Sequence, residues 1–331
     1  MIVLLIGGTR HLGPAIAHEL MAAGHEVTIF HRGTTARRQS MDVEEIVGDA
    51  RDAGHIKPLL ETGRFDSVVD TILQAADLQW YLPLLARHTQ QLIHCGSTGV
   101  YAPATNIPTR ETDATPCPPE FGGFSEKLAQ DKAIVEFYRE TGFKTCSLRI
   151  SNVFGAGDVP IDVWGARNPK YYQRIADGKE IWIPNDGRAL LQPVHVGDLA
   201  HGFRAALESD CAAGQIYNLS SPHAITLTGW VECAKEILGS QSPVKYVPME
   251  DIIATGKANE GGIRFLCEHM CIDSGKAGKE LRYEPKIAVR EGLEDSLRWM
   301  TERGELRIER TAAEECKATL KEVGRNGVSS A

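Results

Sequence analysis

The sequence contains no apolar stretch of about twenty residues, the length that a helix needs to cross a membrane. The apolar run from Met1 to Ile6 is too short for a signal peptide and has the length of a β-strand. We therefore expect a soluble, cytoplasmic protein that makes no contact with membranes.

The cysteines lack the paired spacing of a disulfide framework or a zinc site. Cys267 and Cys271, with His269 between them, come nearest to a metal motif, but no second pair of ligands accompanies them. We expect reduced thiols and no bound metal. The eight cysteines are Cys95, Cys117, Cys146, Cys211, Cys233, Cys267, Cys271 and Cys316.

Basic charge is also in deficit, since 36 Lys and Arg against 44 Asp and Glu give a formal net charge of −8. Because a phosphate backbone requires a basic face, this balance disfavours a general nucleic-acid surface. A chain of 331 residues is long for one compact core, so we expect a large domain and a smaller one.

The first thirteen residues predict a site for a nucleotide phosphate. The strand-length run MIVLLI leads into GGTRHLG and then into PAIAHELMAAGH, which has helical apolar spacing. Gly7 permits a tight turn, Gly13 permits close packing, and the first N–H groups of the helix point at an anion. An ordinary strand-to-helix turn is the alternative. The next strand, His25 to Gly33, favours the phosphate site because it lies where a βαβ unit requires it.

Basic residues follow this second strand, where an acidic residue would bind the ribose of NAD. Arg10 in the turn and His31 and Arg32 after the strand favour a 2′-phosphate, and thus NADP(H) over NAD(H). If Arg32 is instead a solvated loop residue, NAD(H) remains compatible. Asp49 and Ala50, at the end of a third strand, suit an adenine.

Strands and helices alternate up to about residue 155, which predicts an α/β fold with a doubly wound parallel sheet and ligands at the carboxyl ends of its strands. Thr71, at the exit of the strand from Phe65 to Ile72, would therefore lie beside the cofactor.

Seven motifs, in order along nearly the whole chain, resemble those of the extended short-chain dehydrogenase/reductase superfamily, the NAD-dependent epimerases and dehydratases of sugar nucleotides. The motifs are GGTRHLG, CGSTGVY, KLAQDK, LRISNVFGAGD, VHVGDLA, YNLSS and SGKAGKELRYEPKIAVREGL.

The resemblance implies a Rossmann sheet with a smaller C-terminal α/β substrate domain. The dinucleotide-binding domain would comprise residues 1–155 with a contribution from about 190–222. Residues 156–189 and 223–300 would form the substrate domain. Independently of the resemblance, Gly256, Gly261 and Gly262 predict a mobile loop over the pocket. Residues 301–331 would form a surface helix and a tail, and Asp198 would cap the helix that follows VHV.

The same resemblance implies roles for individual residues. Ser97 matches the residue that orients the substrate oxygen, and Lys127 matches the lysine of a Tyr-x-x-x-Lys pair, which also holds the nicotinamide ribose. The turn would contact the cofactor through Gly7, Thr9, Arg10, His11, Leu12 and Gly13. Ser151 and Val153 would lie along the cofactor, Asn152 would hold the substrate, and Trp164 would face the substrate pocket.

The chain departs from the pattern at the tyrosine. Gly123 stands four residues before Lys127, and EFGGFSEKLAQDK contains no tyrosine. A site without this acid/base group would lose roughly 10²–10⁴-fold in rate unless another group replaced it. The candidates are Glu126, Tyr101, Cys95, Cys117 and His195, and each has an ordinary structural interpretation.

A second departure concerns the substrate. Leu191 stands where family members that act on nucleotide diphosphates commonly have an arginine, and Arg188 is the candidate replacement. Helices near residues 77–90 and 126–141 are compatible with a homodimer.

Two functions follow. One is an NAD(P)-dependent epimerase, reductase or lyase acting on a hydroxyl-bearing sugar, nucleoside or sugar nucleotide. The other is a non-catalytic cofactor-binding protein with an RNA or protein partner, similar to the chloroplast stem-loop RNA-binding proteins. The retained Ser97, Lys127 and Asn152 favour the enzyme.

Overall fold

A computed structural model describes residues 1–34, 42–118, 121 and 123–308. Seven strands form one parallel sheet in the order β3-β2-β1-β4-β5-β6-β11, the doubly wound arrangement that the alternation predicts. These strands are β1 (Ile2–Ile6), β2 (Glu26–His31), β3 (Glu44–Val47), β4 (Ser67–Asp70), β5 (Gln91–Ser97), β6 (Lys144–Ile150) and β11 (Gln215–Leu219).

Helices pack on both faces of the sheet and also occur in the second half of the chain. They are α1 (Leu12–Ala22), α2 (Ala53–Glu61), α3 (Ala75–His88), α4 (Phe124–Thr141), α5 (Pro169–Ala176), α6 (Val196–Glu208), α7 (Leu227–Leu238), α8 (Met249–Ala254), α9 (Glu260–Leu266), α10 (Gly275–Leu281) and α11 (Val289–Glu302). Short strands pair outside the main sheet, namely β7 (Val153–Phe154) with β10 (Val194–His195), β9 (Leu190–Leu191) with β12 (Ile225–Thr226), and β8 (Ile181–Pro184) with β13 (Val244–Val247).

The continuous apolar run of β1 follows from burial on both faces of the sheet. Side chains alternate along a strand, so Leu5 packs with residues of α1 and α6 such as Phe203, whereas Leu4 packs with residues of α2 and α3 such as Leu78. All four side chains from Val3 to Ile6 are fully buried. The strand that leads to the glycine turn is therefore held rigidly.

A separate apolar cluster forms in the second half of the chain, around Phe154, Tyr172 and Trp230. The domain boundaries given above stay a prediction. The prediction of a surface helix from residue 301 is wrong at its start, because α11 continues to Glu302 and Leu306 is buried in this cluster. The remainder of that prediction, residues 309–331, lies outside the described residues.

Two local predictions are corrected. Gly261 and Gly262 lie in α9 and not in a loop, and Gly262 packs directly on the backbone of Gly165. The N-cap of α6 is His195, whose Nδ1 accepts the Gly197 N–H, and not Asp198. Asp198 instead accepts backbone N–H groups of residues 286 and 287, because its carboxylate faces the segment before α11.

No helix within the described ranges is long and apolar enough to span a membrane. The apolar residues of α3 and α4, including Leu78, Leu82 and Ile134, pack toward the sheet. A homodimer through these helices stays a prediction.

Candidate active site

A cavity of about 400 Å³ opens at the carboxyl edge of the sheet, beside the glycine turn. Gly7 has a φ of 95°, which lies in the left-handed region that favours glycine. A Cβ on Gly13 would lie 2.4 Å from the Gly8 Cα, so only glycine lets α1 approach the turn after β1 this closely. The turn therefore has the tight backbone that the sequence predicts.

The start of α1 is suited to an anion. Its N-cap, His11, makes no side-chain capping hydrogen bond, and the first turn of the helix contains no acidic residue. The N-terminal N–H groups of a helix carry partial positive charge. Since α1 starts on the cavity wall, a phosphate there would meet both these groups and the side chain of Arg10.

Most of the predicted cofactor residues line this cavity. They are Gly7, Thr9, Arg10, His11, Leu12, Gly13, His31, Arg32, Ala50 and Thr71. Asp49 is not among the lining residues, and its carboxylate accepts the Arg51 N–H at 3.0 Å.

The sequence interpretation missed five lining residues, which are Phe30, Gly33, Thr34, Gly48 and Ile72, and it named Cys95 only as a candidate acid/base group. All six lie at or just beyond the carboxyl ends of the parallel strands, and this position was a usable signal. Ile72, an exposed apolar side chain beside Thr71, gives the cavity an apolar surface.

The basic rim is partly engaged by the protein. His31 Nε2 lies 2.7 Å from a Glu45 carboxylate oxygen, and its Nδ1 accepts the Gly33 N–H. Arg32 is exposed on the same rim. Arg32 is therefore available to an anionic group entering the cavity.

Ser97, Lys127 and Ser151 do not line the cavity, but Ser97 and Lys127 lie close to Cys95, which does. Lys127 Nζ donates to the Cys95 carbonyl at 2.9 Å, and Ser97 Oγ accepts the Gly99 N–H at 3.1 Å. Ser97 pairs in register with Ile150, the residue that precedes Ser151. The two strand ends thus bring the predicted substrate and cofactor residues together.

Ser151 bears directly on whether the site suits a cofactor. It is 8% exposed, and its hydroxyl has no hydrogen-bond partner among the described residues. A buried hydroxyl normally has a partner, so this one is poised for a ligand. Ser151, the glycine turn and the start of α1 together fit a dinucleotide.

The residue that follows the position of the missing tyrosine, Phe124, is apolar. The Phe124 ring lies against Gly99, the residue whose N–H holds Ser97, and a Cβ on Gly99 would lie 2.1 Å from it. Phe124 also packs on Phe265 of α9, with ring centroids 4.9 Å apart. These two rings supply no acid or base beside Ser97.

Tyr101 does not face the cavity. Its hydroxyl accepts from Arg149 Nη1 at 2.6 Å and donates to Asn218 Oδ1 at 2.8 Å. Arg149 also pairs with the buried carboxylate of Asp131. Burial raises the pKa of Tyr101 to about 12, against which Arg149 lowers it. Both hydrogen-bonding capacities of the hydroxyl are used in this network.

Three further candidates are engaged elsewhere. Glu126 Oε1 accepts the Ala75 N–H at the start of α3 at 2.5 Å. The thiol of Cys117 donates to the Val100 carbonyl at 3.1 Å. His195 Nε2 lies 3.3 Å from Asp295, beside α11. None of the three lines the cavity.

Cys95 is the one candidate of the five that lines the cavity. Burial raises the pKa of its thiol to about 11, with Lys127 acting in the opposite direction. The thiol is therefore protonated at neutral pH. Among the residues that the structure describes, no group of three His, Cys, Asp or Glu is arranged to hold a metal ion.

The model of the NAD dependent epimerase/dehydratase family matches residues 3–220 of the sequence, about two thirds of its length. The chain belongs to this family. Two curated relatives extend the match. One is the chloroplast stem-loop binding protein of 41 kDa b from Arabidopsis thaliana, 28% identical over 326 residues, which cover 93% of this chain and 81% of that protein. The other is a UDP-glucose 4-epimerase from Corynebacterium glutamicum, 27% identical over 279 residues, 75% of this chain and 84% of the relative.

Solved structures show the same fold. An epimerase from Methanothermobacter thermautotrophicus superposes with a TM-score of 0.76 at 22% identity, covering 92% of this chain and 93% of that one. The similarity in fold therefore extends over both the main sheet and the second apolar cluster.

The substrate side of this family member differs from the sequence expectation. Leu191 is buried in the second apolar cluster, so no cation stands there. Arg188 is exposed and lines neither the cofactor cavity nor the cavity around Trp164. Asn152 and Val153 follow β6, where the Asn152 carbonyl accepts the Val194 N–H and Val153 pairs with Val194.

Proposed function

We propose that the protein is an NAD(P)-dependent enzyme that acts on a hydroxyl-bearing sugar, nucleoside or sugar nucleotide by hydride transfer. One observation carries the proposal: the glycine turn at the start of α1, the Ser151 hydroxyl, which has no hydrogen-bond partner among the described residues, and the side chains of Ser97 and Lys127 lie at the same edge of the sheet. The similarity to relatives that include a UDP-glucose 4-epimerase supports the substrate class.

A nicotinamide cofactor in this cavity would accept or supply the hydride. Ser97 would orient the reacting hydroxyl of the substrate, and Lys127 would place a positive charge beside the cofactor ribose. Asn152 would hold the substrate from the neighbouring strand end. For the reductive direction, in which the cofactor delivers a hydride to a substrate carbonyl, we assign proton donation to the Cys95 thiol, because it is the replacement candidate on the cavity wall and is protonated at neutral pH. The thiol would give its proton to the new alkoxide oxygen and recover it from solvent.

The cofactor preferred is NADP(H), since Arg10 and Arg32 line the end of the cavity next to β2. Both would lie near the 2′-phosphate of NADP(H), whereas NAD(H) has no phosphate at this position for them to bind.

Cofactor titration followed by a substrate panel tests the proposal. We expect NADPH binding to the purified full chain, and turnover or thermal stabilisation with one member of a panel of UDP-sugars, dTDP-sugars and nucleosides. If the protein binds the cofactor but shows neither turnover nor thermal stabilisation across the panel, the proposal that it is an enzyme is wrong. The Lys127→Met variant should bind NADPH about tenfold more weakly, and unchanged affinity would refute the role of Lys127.

A second candidate is a cofactor-binding protein that recognises RNA, and the similarity to the chloroplast stem-loop binding protein of Arabidopsis thaliana favours it. It predicts micromolar binding of a stem-loop RNA that weakens steeply with salt. The net charge of −8 opposes it.

A further inference from the structure

A closed ring of hydrogen bonds lies next to the residues that line the cofactor cavity, among side chains to which the proposed function gives no role. His94 Nδ1 lies 2.6 Å from Asp70 Oδ2, and His94 Nε2 lies 2.9 Å from Gln130 Oε1. The ring closes on Leu73, whose carbonyl accepts from Gln130 Nε2 at 3.0 Å and whose N–H donates to Asp70 Oδ1 at 2.9 Å. The three side chains are at most 1% exposed. A buried polar network in which each member is bonded is rigid.

The chemistry of the partners fixes the direction of the ring. Because a carbonyl oxygen can only accept, the amide nitrogen of Gln130 faces Leu73 and its amide oxygen faces His94. His94 Nε2 therefore donates to Gln130. Glu126 Oε1, 3.4 Å from Gln130 Nε2, is a second acceptor on the nitrogen side and agrees with this orientation. The imidazole is thus held in one orientation between β4 and α4.

On the β4 side, the ring shapes the wall of the cofactor cavity. Asp70 is the last residue of β4, and its Oδ1 also accepts the Ile72 N–H at 2.9 Å. Thr71 and Ile72, the next two residues, line the cavity. Asp70 therefore holds the turn that places these two residues on the cavity wall.

On the α4 side, the ring holds the helix that carries Lys127. Gln130 follows Lys127 by three residues, so the two side chains are neighbours on one face of α4. They contact consecutive residues of β5. Lys127 Nζ donates to the Cys95 carbonyl at 2.9 Å, and Gln130 accepts from His94. The bond from His94 therefore fixes α4 against β5 at the position of Lys127.

We propose that His94 is a positioning residue, which joins the cavity wall after β4 to Lys127 through Asp70 and Gln130. The inference rests on the proposed function, in which Lys127 lies beside the cofactor ribose. It implies that His94 affects NADPH binding through Lys127. A histidine with a merely structural role would weaken NADPH binding to the same extent whether or not the Lys127 side chain is present.

A double-mutant cycle on the full chain tests the proposal. An asparagine at position 94 can still donate to Asp70 but is too short to reach Gln130. We expect His94→Asn to raise the Kd for NADPH about fivefold, and less than about twofold when Lys127 is already Met, because the effect passes through Lys127. Fluorescence titration of the parent, both single variants and the double variant measures this coupling.

Gln130→Met cuts the same link from the helix side, and Gln192→Met is its matched control. Gln192 is also a buried glutamine, since its Nε2 donates to the Ser221 carbonyl and its Oε1 accepts the Ile272 N–H. It does not line the cofactor cavity. We expect both variants to lower Tm to a similar extent, because each removes the hydrogen bonds of a buried amide. Only Gln130→Met should weaken NADPH binding.

A measurement without cofactor reports on Lys127 directly. Lys127 is partly buried, and we expect acetic anhydride to acetylate its amine about threefold faster in His94→Asn than in the parent, because the helix is held less firmly at this position. The exposed Lys132 of the same helix should react equally fast in both proteins. Peptide mass spectrometry measures the two rates.

The outcomes separate this proposal from the proposed function. An equal rise in Kd with and without the Lys127 side chain, equal NADPH affinities for Gln130→Met and Gln192→Met, or an unchanged acetylation rate of Lys127 would overturn the positioning role of His94. Unchanged NADPH affinity in Lys127→Met would instead overturn the role of Lys127 in the proposed function. In that case the acetylation rates still decide whether His94 positions Lys127.

Discussion

Gly123 is the residue at which the sequence departs from the expected Tyr-x-x-x-Lys motif. Its φ of −71° suits any residue, and a Cβ there would meet no atom of the described residues within 4 Å. A tyrosine at this position would therefore be tolerated by the backbone and would restore the Tyr-x-x-x-Lys spacing before Lys127.

We expect Gly123→Tyr to raise the rate of hydride transfer by roughly 10²-fold, because a general acid/base group contributes about this much. The change is measured as NADPH formation or consumption with the substrate found in the panel. Gly123→Phe supplies the same bulk without the hydroxyl and should show no increase. Equal rates for the Tyr and Phe variants would show that the hydroxyl at position 123 does not act as an acid/base group.

Cys95 carries the complementary prediction. Cys95→Ala removes the thiol from the cavity wall and should lower kcat by about 10², with little change in NADPH affinity. Cys211→Ala changes an exposed thiol and serves as the control. If kcat for Cys95→Ala equals that of the parent, the proton is moved by a different group.

Arg32 decides between the cofactors. Arg32→Ala should weaken NADPH binding about tenfold and leave NADH binding nearly unchanged, because a charge-assisted contact to the 2′-phosphate is lost. Fluorescence titration of both cofactors provides the measurement. Arg87→Ala, in the last turn of α3, is a control for loss of surface charge. A parallel loss for NADH and NADPH would contradict the assigned preference.

At the scale of elements, α4 supports α3 through Glu126. The carboxylate of Glu126 satisfies the first N–H of α3, and Gln130 of the next turn bonds to the Leu73 carbonyl. The helix that carries Lys127 is thereby fixed to the segment leaving β4, which lines the cofactor cavity.

Glu126→Ala should lower the free energy of unfolding by about 1 kcal/mol, the usual cost of losing a helix-terminal acceptor, while kcat stays within about twofold of the parent. Urea titration and initial rates measure the two quantities. Glu136→Ala, exposed on the same helix, is the control. A large fall in kcat with unchanged stability would instead make Glu126 a catalytic group.

The main elements could be predicted because their signals are local. The run MIVLLI and the glycine turn fix β1 and the start of α1, and parallel strands place their carboxyl ends at one edge. The partners of Tyr101 and Glu126 could not be predicted, since Asn218 and Ala75 lie 117 and 51 residues away in sequence. The sequence predicts a loop at Gly262 because glycine disfavours helices. Gly262 nevertheless lies in α9, where its close contact with the Gly165 backbone outweighs that preference.

For the whole molecule, the His195–Asp295 pair ties α11 to the strand ends beside the sheet. Asp295 also accepts the Ala156 N–H at 2.7 Å. The hydrogen bond from His195, followed by those from Ala156 and Arg298, outweighs burial and lowers the pKa of Asp295 to about 2 from its ordinary 3.8.

The pair should therefore stabilise the fold above pH 4 and lose its contribution as the pH falls toward 2, because the unfolded chain binds the proton first. Asp295→Asn should show a weaker dependence of Tm on pH in this window than the parent does. Asp251→Asn, exposed on α8, should follow the parent. Superimposable profiles for the parent and Asp295→Asn would contradict this role.

The contact between Gly165 and Gly262 limits which substitutions the chain can accept. A Cβ at Gly262 would lie 2.0 Å from the Gly165 carbonyl oxygen, and one at Gly165 would lie 2.1 Å from the Ile263 backbone nitrogen. Since backbone meets backbone, shrinking one side chain cannot make room for another. A mutational library should find both positions closed to substitution, and pairwise libraries should yield no compensating combination. Glycine is therefore required at both positions as long as helix α9 packs on the loop that carries Trp164.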